Sequence, residues 1–407
     1  TDTEYGHKND VMGNGFEFAK AQFCSFQKQR LGWLKKSEFV EVLEGGRHRV
    51  HALDGATVDP DKNYAVKIVT EGRGNYWAEY RNKYSTNPFR NGILLQGEGA
   101  GWSDINATMP SRIDATWWSR KELGDTPIPI GMTFSDHEFG IHITPLERDD
   151  EFGWIDVEVN KGAFPGNQRP VASIEASTST PNVNQSVTFT VTASDPDGDE
   201  VALWWYFDDD DLHAFRDPFA SSRMKLWPQA GVRSVLVAVS DMRGGVTWLK
   251  STVTVGSPAE FSVSGRVTDH AGVGVGGVAV DTGLNKNDPN FRVTLTDSDG
   301  YYLLGRVEAG SYELRCSNDF DEFSPSGFSN PLTVGANVTG VDFSARSLQV
   351  TTVESSFAES GGTGTFRIER VGGVMGEFSD IKVRFLGGAI EGADFSVTSG
   401  LVGDSFT

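Results

Sequence analysis

The chain is poor in cysteine, in basic residues relative to acidic ones, and in long apolar runs. Its 407 residues include only two cysteines, Cys24 and Cys316, which lie far apart, so the sequence gives no sign of a disulfide framework. No apolar run approaches the roughly 20 residues that a membrane helix needs, so we expect no membrane insertion. The formal charge of −20 disfavours nucleic acid and anionic membranes as partners.

A complete motif for a catalytic metal is also missing, because none of the seven histidines lies in an HExxH sequence. His137 and His142, in "HEFGIH", are five residues apart in a segment that reads as a strand. An odd separation on a strand places side chains on opposite faces, so we reject this pair as a zinc site. His48 and His51, in "RHRVH", are rejected as a zinc site by the same argument.

A glycine-rich segment only imitates a nucleotide-binding fingerprint. Gly272, Gly274 and Gly277 fit the spacing GxGxxG, which binds a pyrophosphate when it joins a strand to the start of a helix. Here the strand-like "VAVDTG" follows instead of a helix. The sequence therefore predicts a turn between strands, and no dinucleotide cofactor.

Glycine and aromatic residues are abundant, with 47 glycines and 11% aromatics. This composition indicates many turns and short strands with enough large side chains for several cores. The alternating apolar segments predict a mainly β chain of tandem, immunoglobulin-like β-sandwich domains, each with its own core. The segments that carry this prediction are "YAVKIV", "NYWAEYR", "NGILLQ", "WIDVEV", "SVTFTVTAS", "VALWWYF", "RSVLVAVS", "STVTV", "FSVSGRVTD", "GVAVD", "YYLL" and "YELRCS".

One stretch near the start predicts a helix. Apolar residues recur there at steps of three and four positions, a stripe on one helical face formed by Phe16, Ala19, Phe23 and Phe26. Lys28, Arg30 and Gly32 mark its C-terminal end.

Turn-rich segments divide the chain into five predicted parts. A Gly-, Pro- and Asn-rich linker covers 160–170, and the turn cluster "GSPAE" covers 256–260. The predicted parts are 1–35, 36–165, 169–256, 259–346 and 347–407. Since the sequence starts at Thr1 rather than Met and stops in mid-pattern at Thr407, we expect it to be a fragment.

The turn "EYGHKNDVMGNG" is followed by a helix that ends in "LGW" and, further on, by "YWAEYR" and "GMTFSDHEFGIHI". In these motifs the first two parts resemble the C-terminal end of gametolysin-like zinc peptidases, a branch of the metzincins. The resemblance implies that Met12, with Asp10 and Gly13, forms the Met-turn that lies beneath a zinc ion held by the histidines of HExxHxxGxxH. Those ligands would precede Thr1, so this chain should be inactive alone. The alternative is that Met12 is a core side chain in a glycine-rich turn. The matching residues are Glu4, Tyr5, Gly6, Asp10, Val11, Met12, Gly13, Leu31, Gly32 and Trp33.

The third part, "SDPDGDEVALWWYFDDDD" with "VAVSDMRGGV", resembles a PKD-type domain. Asp195, Asp197 and Asp199 surround a turn, and oxygen-rich turns at one pole of a sandwich can hold calcium. The aspartates after Phe207 could form a second cluster at the same pole. Equally, all these aspartates could serve turns and solvated charge.

Two further resemblances cover the C-terminal parts. The segments "SGRVTD", "GVGGVAV" and "LTDSDGYYLLGRVEAGSYEL" within 261–346 resemble a carboxypeptidase regulatory-like domain, an accessory sandwich. The segments "ESSFAESGGTGTFRIERVGG" and "VRFLGGAIEGADFSV", in the part that begins at 347, resemble a Calx-β domain. The Calx-β resemblance implies calcium ligands at Glu354 or Glu359 and at Asp394. The matching residues are Gly265, Gly277, Thr296, Asp297, Gly300, Tyr302, Gly310 and Tyr312, then Glu359, Gly361, Gly362, Arg370, Gly372, Ala389, Gly392, Asp394 and Phe395.

These resemblances imply the C-terminal portion of a secreted or cell-surface zinc metalloendopeptidase-like protein. Its partners would be a protein or peptide substrate and extracellular matrix or cell-surface polymers, with zinc in the parent protein and calcium on the acidic loops. The alternative function is a non-catalytic extracellular adhesion or scaffold protein. A third is a glycan-binding array on exposed aromatics such as Trp204 and Trp205, although strand alternation predicts that one of that pair is buried.

Overall fold

The computed structural model describes residues 23–55, 59–70, 74–82, 92–98, 111–112, 127–137, 139–208, 217–285, 288–318, 322–352, 366–371, 401–402 and 405–406. The prediction of a mainly β chain with several separate sheets is confirmed. Among these residues, no helix has the length and apolar character needed to cross a bilayer.

The predicted helix is present as α1, Ser25–Arg30, and it ends at the predicted place. Gly32 has φ of +73° and donates its N–H to the Gln29 carbonyl at 3.0 Å, a left-handed glycine cap. Phe26 is buried, with its ring centroid 6.2 Å from that of Trp77. A 3₁₀ turn, Lys36–Glu38, follows. The earlier stripe positions, Phe16 and Ala19, lie outside the described residues.

The first β unit has two sheets around one buried cluster. Its strands are β1 Val40–Val42, β2 Gly45–His51, β3 Ala65–Ile68, β4 Tyr76–Glu79, β5 Gly92–Gly97, β6 Ser111–Arg112, β7 Ile128–Pro129, β8 Phe134–Asp136, β9 Ile141–Asp149 and β10 Trp154–Lys161. One sheet has the order β1-β3-β4-β5-β6 with β7 beside β5, and the other has the order β2-β10-β9-β8. Apolar side chains of both sheets meet in this cluster.

The second unit is a sandwich of two antiparallel sheets, β11-β12-β14 and β13-β15-β16. Alternate residues point inward and fill its core with the rings of Phe189, Trp205 and Trp227. The strands are β11 Val171–Ala176, β12 Val187–Ser194, β13 Ala202–Phe207, β14 Ser222–Lys225, β15 Gly231–Ser240 and β16 Val246–Val255.

The third unit has a separate core that includes Tyr302, Leu304 and Phe343. Its strands are β17 Phe261–Thr268, β18 Ala279–Asp281, β19 Val293–Leu295, β20 Tyr301–Val307, β21 Gly310–Tyr312, β22 Arg315–Ser317, β23 Glu322–Ser326, β24 Leu332–Val334 and β25 Asp342–Thr352. As predicted, Gly272 closes a turn with φ of +80° and the strand β18 follows.

Strand β25 continues past the third unit. Its residues 342–346 pair with β23, and its residues 347–352 pair with β26, Phe366–Val371. Two short strands, β27 Leu401–Val402 and β28 Ser405–Phe406, extend the same sheet.

Strand β13 is buried on both of its faces. Trp205 faces the core of the second unit, whereas Trp204 and Tyr206 belong to the cluster of the first unit. Only 3% of Trp204 and 2% of Trp205 are exposed, so the interpretation of this pair as exposed glycan-binding aromatics is wrong. The alternation expected for a sheet with one solvated face is lost because neighbouring units cover the outer face.

The second and third units each have a core of their own, as the sequence suggested, but the units also share a further apolar cluster. The cluster of the first unit takes in Leu236 and Ala238 from the second unit, and Ala279 and Leu295 from the third. This shared apolar core holds the three units against one another.

Candidate functional site

A cleft lies where the first unit meets the second. We call it the junction cleft; its volume is about 510 Å³. This size lies within the range of pockets that hold small molecules. Turns supply most of its walls, since it is lined by His137, Gly140, His142, Gly162, Ala163, Phe164, Asn167, Arg169, Arg243, Gly244, Gly245 and Val246.

The linker between the units forms one wall through the turn "FPGN". The Asn167 N–H donates to the Phe164 carbonyl at 3.0 Å, and Gly166 has φ of +85°. Proline followed by a left-handed glycine is the pattern of a type II turn, so the local sequence dictates this shape. The turn presents the Phe164 ring to the cleft, with its centroid 5.7 Å from that of His142 and 5.4 Å from the Arg243 guanidinium carbon.

The loop between β15 and β16 forms the opposite wall, and the Asp241 carboxylate organises it. The residue Asp241 is 1% exposed, and its carboxylate accepts hydrogen bonds from the Arg243 N–H at 2.7 Å, the Gly245 N–H at 2.9 Å and the Asn167 side chain at 2.7 Å. Burial raises the pKa of Asp241 above its ordinary value, whereas these hydrogen bonds lower it. Asp241 thus ties the loop to the linker.

The two histidines that parity placed on opposite faces lie side by side in the cleft. Their ring centroids are 5.6 Å apart, so that prediction of their placement is wrong. His137 follows β8 and His142 is the second residue of the antiparallel β9, so a hairpin rather than one strand relates them. The His142 Nδ1 lies 2.9 Å from the Ser135 hydroxyl. Burial, together with the neighbouring His137, lowers the pKa of His142 to about 4, so His142 is neutral at pH 7.

The acidic turn predicted to bind calcium lies behind the cleft, and each carboxylate has a protein partner. Asp195 accepts the N–H groups of Asp197 at 2.9 Å and Asp199 at 3.3 Å. Asp197 accepts the Gln168 N–H at 2.7 Å and its side-chain amide at 3.0 Å, and these bonds lower the pKa of Asp197. Asp199 is paired with Arg243. The turn is thereby bonded to both walls of the cleft.

Calcium at this turn stays a prediction. In the described part of the chain, no group of three or more histidine, cysteine, aspartate or glutamate side chains is arranged to hold a metal ion. The second oxygens of Asp195 and Asp199 are nevertheless buried without a hydrogen-bond partner, so the donor set fits one hard cation in part.

The described member of the second acidic cluster, Asp208, does not lie at the same pole as the first cluster. Asp199 precedes β13 and Asp208 follows it, so the strand separates the two carboxylates by about 20 Å. Asp208 instead lies near Arg233 and Arg306, at 3.8 Å and 3.7 Å, where the second unit meets the third. The following aspartates, 209–211, lie outside the described residues.

The remaining predicted site residues lie outside the described residues. These are the Met-turn positions Asp10, Met12 and Gly13, and the Calx-β calcium positions Glu354, Glu359 and Asp394. Sequence reasoning missed Asp241, Arg243 and Phe164 as parts of a site. The segments "SDMRGG" and "FPGN" are typical of two tight turns, but whether these two turns lie next to each other depends on how the first and second units pack.

Comparisons with known proteins leave the function of the chain open. No protein-family model and no curated protein matches it. Similar solved structures include the PKD domain of an M14-like peptidase from a Thermoplasmatales archaeon, at 17% identity over 23% of this chain and 100% of that one, with a TM-score of 0.20. Another is the Bacillus cereus major pilin subunit BcpA, at 9% identity over 44% of this chain and 71% of that one, with a TM-score of 0.17. A third is the Bacillus anthracis TIE protein, at 8% identity over 50% of this chain and 52% of that one, with a TM-score of 0.16. TM-scores this low show no common arrangement of the whole chain.

Proposed function

We propose that the described units form a stiff, non-catalytic array that spaces and attaches a secreted or cell-surface protein. One observation carries this proposal: strand β13 is buried on both faces. The core of the second unit covers one face, and residues of the first and third units cover the other. Units that share an apolar core cannot swing independently, whereas units joined by an exposed linker would move by default.

The joint between the second and third units supports this stiffness. The Trp248 N–H donates to the Ser298 hydroxyl at 2.8 Å, and the Ser298 N–H returns a bond to the Trp248 carbonyl at 3.0 Å. A Cβ on Gly277 would come within 2.6 Å of the Trp248 ring, so only glycine permits this approach. The Lys250 ammonium lies 3.1 Å from the Asp297 carboxylate beside it.

The distance between two units tests the stiffness directly. Nitroxide labels at the exposed Thr190 and Thr333 report on the second and third units, in a chain whose two native cysteines are replaced by alanine. Pulsed electron spin resonance should give one narrow distance distribution. Trp248→Ala should broaden it by removing the ring that fills the joint, whereas Trp33→Ala, at a position 59% exposed, should not. A broad distribution in the unsubstituted chain would contradict the proposed function.

The resemblance of residues 4–33 supports a zinc endopeptidase as the parent protein. In such a parent, a zinc-bound water would attack a peptide carbonyl, while the β units hold matrix or surface polymers. The test is casein cleavage by the protein isolated from its own cells, with zinc content measured on the same sample. Zinc-dependent cleavage is expected from that protein and not from this chain alone. A metal-free, inactive parent would instead favour the adhesion or scaffold alternative.

The acidic turn supports one calcium ion at Asp195 and Asp199, where each buried second oxygen is available as a ligand. Calcium should raise the thermal midpoint of the second unit, and a chelator should reverse this. Asp195→Asn should abolish the calcium effect, whereas Asp269→Asn, in a turn of the third unit, should keep it. Identical midpoints with calcium and with chelator would remove calcium from the function.

A further inference from the structure

We propose that the junction cleft binds the carboxylate of an acidic sugar, such as a uronate unit of a surface polysaccharide. This inference rests on the proposed attachment function, for which it supplies a ligand. It goes beyond that function because stiffness requires no ligand site. The argument rests on charge, shape and the chemistry of the walls.

The charged side chains that line the cleft are basic, and the carboxylates behind them have protein partners: Asp241 accepts hydrogen bonds from Asn167 and Gly245, and Asp197 accepts one from Gln168. The formal charge of the whole molecule is −20, yet the charged side chains among the described lining residues are the arginines 169 and 243. Arg243 is held by Asp199, which neutralises its charge. Arg169 is exposed and makes no ion pair with a described acidic residue, so its guanidinium remains available to a carboxylate, a geometry for which arginine is well suited.

Neutral polar groups can complete the recognition of a sugar. His142 is uncharged at pH 7 and has its Nδ1 on Ser135, so within the described residues its Nε2 makes no hydrogen bond and can contact a hydroxyl group. The Phe164 ring adds an apolar wall for the C–H face of a pyranose. A few polar groups on an apolar wall are typical of small-molecule sites.

The shape of the cleft favours a compact ring over an extended peptide. Peptides that add to a sheet need a free strand edge, whereas turns supply most of these walls. Glycine at position 244 lets the backbone approach the two histidine rings closely: a Cβ there would lie 2.8 Å from the His142 Cε1 atom and 3.0 Å from the His137 Cε1 atom. With φ of +104°, Gly244 also occupies a backbone region that other residues disfavour.

Binding of D-galacturonate to the whole chain, measured at pH 7 by calorimetry and NMR, tests the proposal. Galacturonate should bind, and galactose, which differs by the missing carboxylate, should bind at least about tenfold more weakly. Equal binding of both sugars would overturn the role of the carboxylate. Tighter binding of N-acetyl-aspartate amide or of sulfate than of galacturonate would overturn the sugar assignment, and no binding would overturn the site.

Matched variants locate the binding. Arg169→Gln should weaken galacturonate binding about tenfold and leave galactose unaffected. Arg315→Gln, at an exposed arginine of strand β22, should change neither. Gly244→Ala should reduce the binding of both sugars by displacing the histidine rings. If Gly244→Ala misfolds, Arg169→Gln alone still decides the test. Unchanged galacturonate binding by Arg169→Gln would place the ligand elsewhere.

Failure of this inference can be told apart from failure of the proposed function. The binding experiments report on the cleft, and the label distances report on the joint between the second and third units. A narrow distance distribution without galacturonate binding would refute the ligand and keep the spacing role. A broad distribution would refute the spacing role whatever the cleft binds.

Discussion

At the scale of single residues, the molecule depends on a few buried polar groups that join separate segments. Asp241 is the clearest of these, since one carboxylate accepts hydrogen bonds from its own loop and from Asn167 of the linker. Buried polar networks of this kind stabilise when every member is satisfied and cost free energy when one is removed.

Replacing Asp241 by alanine should destabilise the second unit by about 3 kcal/mol, because buried donors lose a charged acceptor. The free energy of unfolding in urea measures this. Asp269→Ala serves as the control: the half-buried Asp269 likewise accepts two backbone N–H groups, from Ala271 and Val273 at 2.8 Å each. Its loss should cost about 1 kcal/mol. Equal losses would show that Asp241 has only a local turn role.

His142 should make stability depend on pH. Its pKa is about 4 in the folded chain, against 6.5 for an ordinary histidine, so between these two pH values the unfolded chain binds more protons. The free energy of unfolding should therefore fall as the pH falls from 6.5 to 4, and this component should be complete above 6.5.

The same unfolding measurement between pH 4 and 7 checks this effect in two variants. His142→Asn should flatten the dependence by removing the titrating ring. His270→Asn, at an exposed position of the third unit, should leave it as it is. An unchanged slope in His142→Asn would contradict the assignment to this ring.

At the scale of elements, the short helix α1 is held by a buried ion pair rather than by its own length. The Glu79 carboxylate accepts the Ser25 N–H at 2.6 Å, and the Arg81 guanidinium lies 2.6 Å from that carboxylate and donates to the Phe23 carbonyl at 3.2 Å. Both charged side chains are 0% exposed. A six-residue helix is not stable alone, so this anchoring determines whether it forms.

Glu79→Gln should cost about 3–5 kcal/mol because it leaves the Arg81 charge buried without its partner. The helix segment should then become sensitive to limited proteolysis. Glu41→Gln removes ion pairs of a 36% exposed carboxylate with Lys36 and Lys67 and should cost under about 1 kcal/mol. Proteolysis of both variants at the rate of the unsubstituted chain would contradict the anchoring role.

Elements were the level that sequence predicted best. The strand segments coincide with β strands to within a few residues, and the helix ends at its glycine, because alternation and capping are local signals. "VALWWYF" also carried a signal that was not used: an uninterrupted apolar run is typical of a strand buried on both faces. The neighbouring histidines were misplaced because the position of the hairpin turn, rather than strand parity, decides which rings meet.

At the scale of the whole molecule, the arrangement of units could not be predicted from sequence. Local patterns define each sheet, but the contact between β13 and the first unit depends on surfaces more than 40 residues apart in the chain. The junction cleft was missed for the same reason, since its walls come from a hairpin, a linker and a loop of different units.

Strand β25 bears on how the array would carry a mechanical load. Within residues 342–346 it lies beside β23 and runs parallel to β17, and from 347 onward it pairs with β26 without interruption. A pull exerted along this strand is opposed by its cross-strand hydrogen bonds in shear, all loaded together rather than opened one after another. Tension can thus pass through the third unit without peeling its sheet apart.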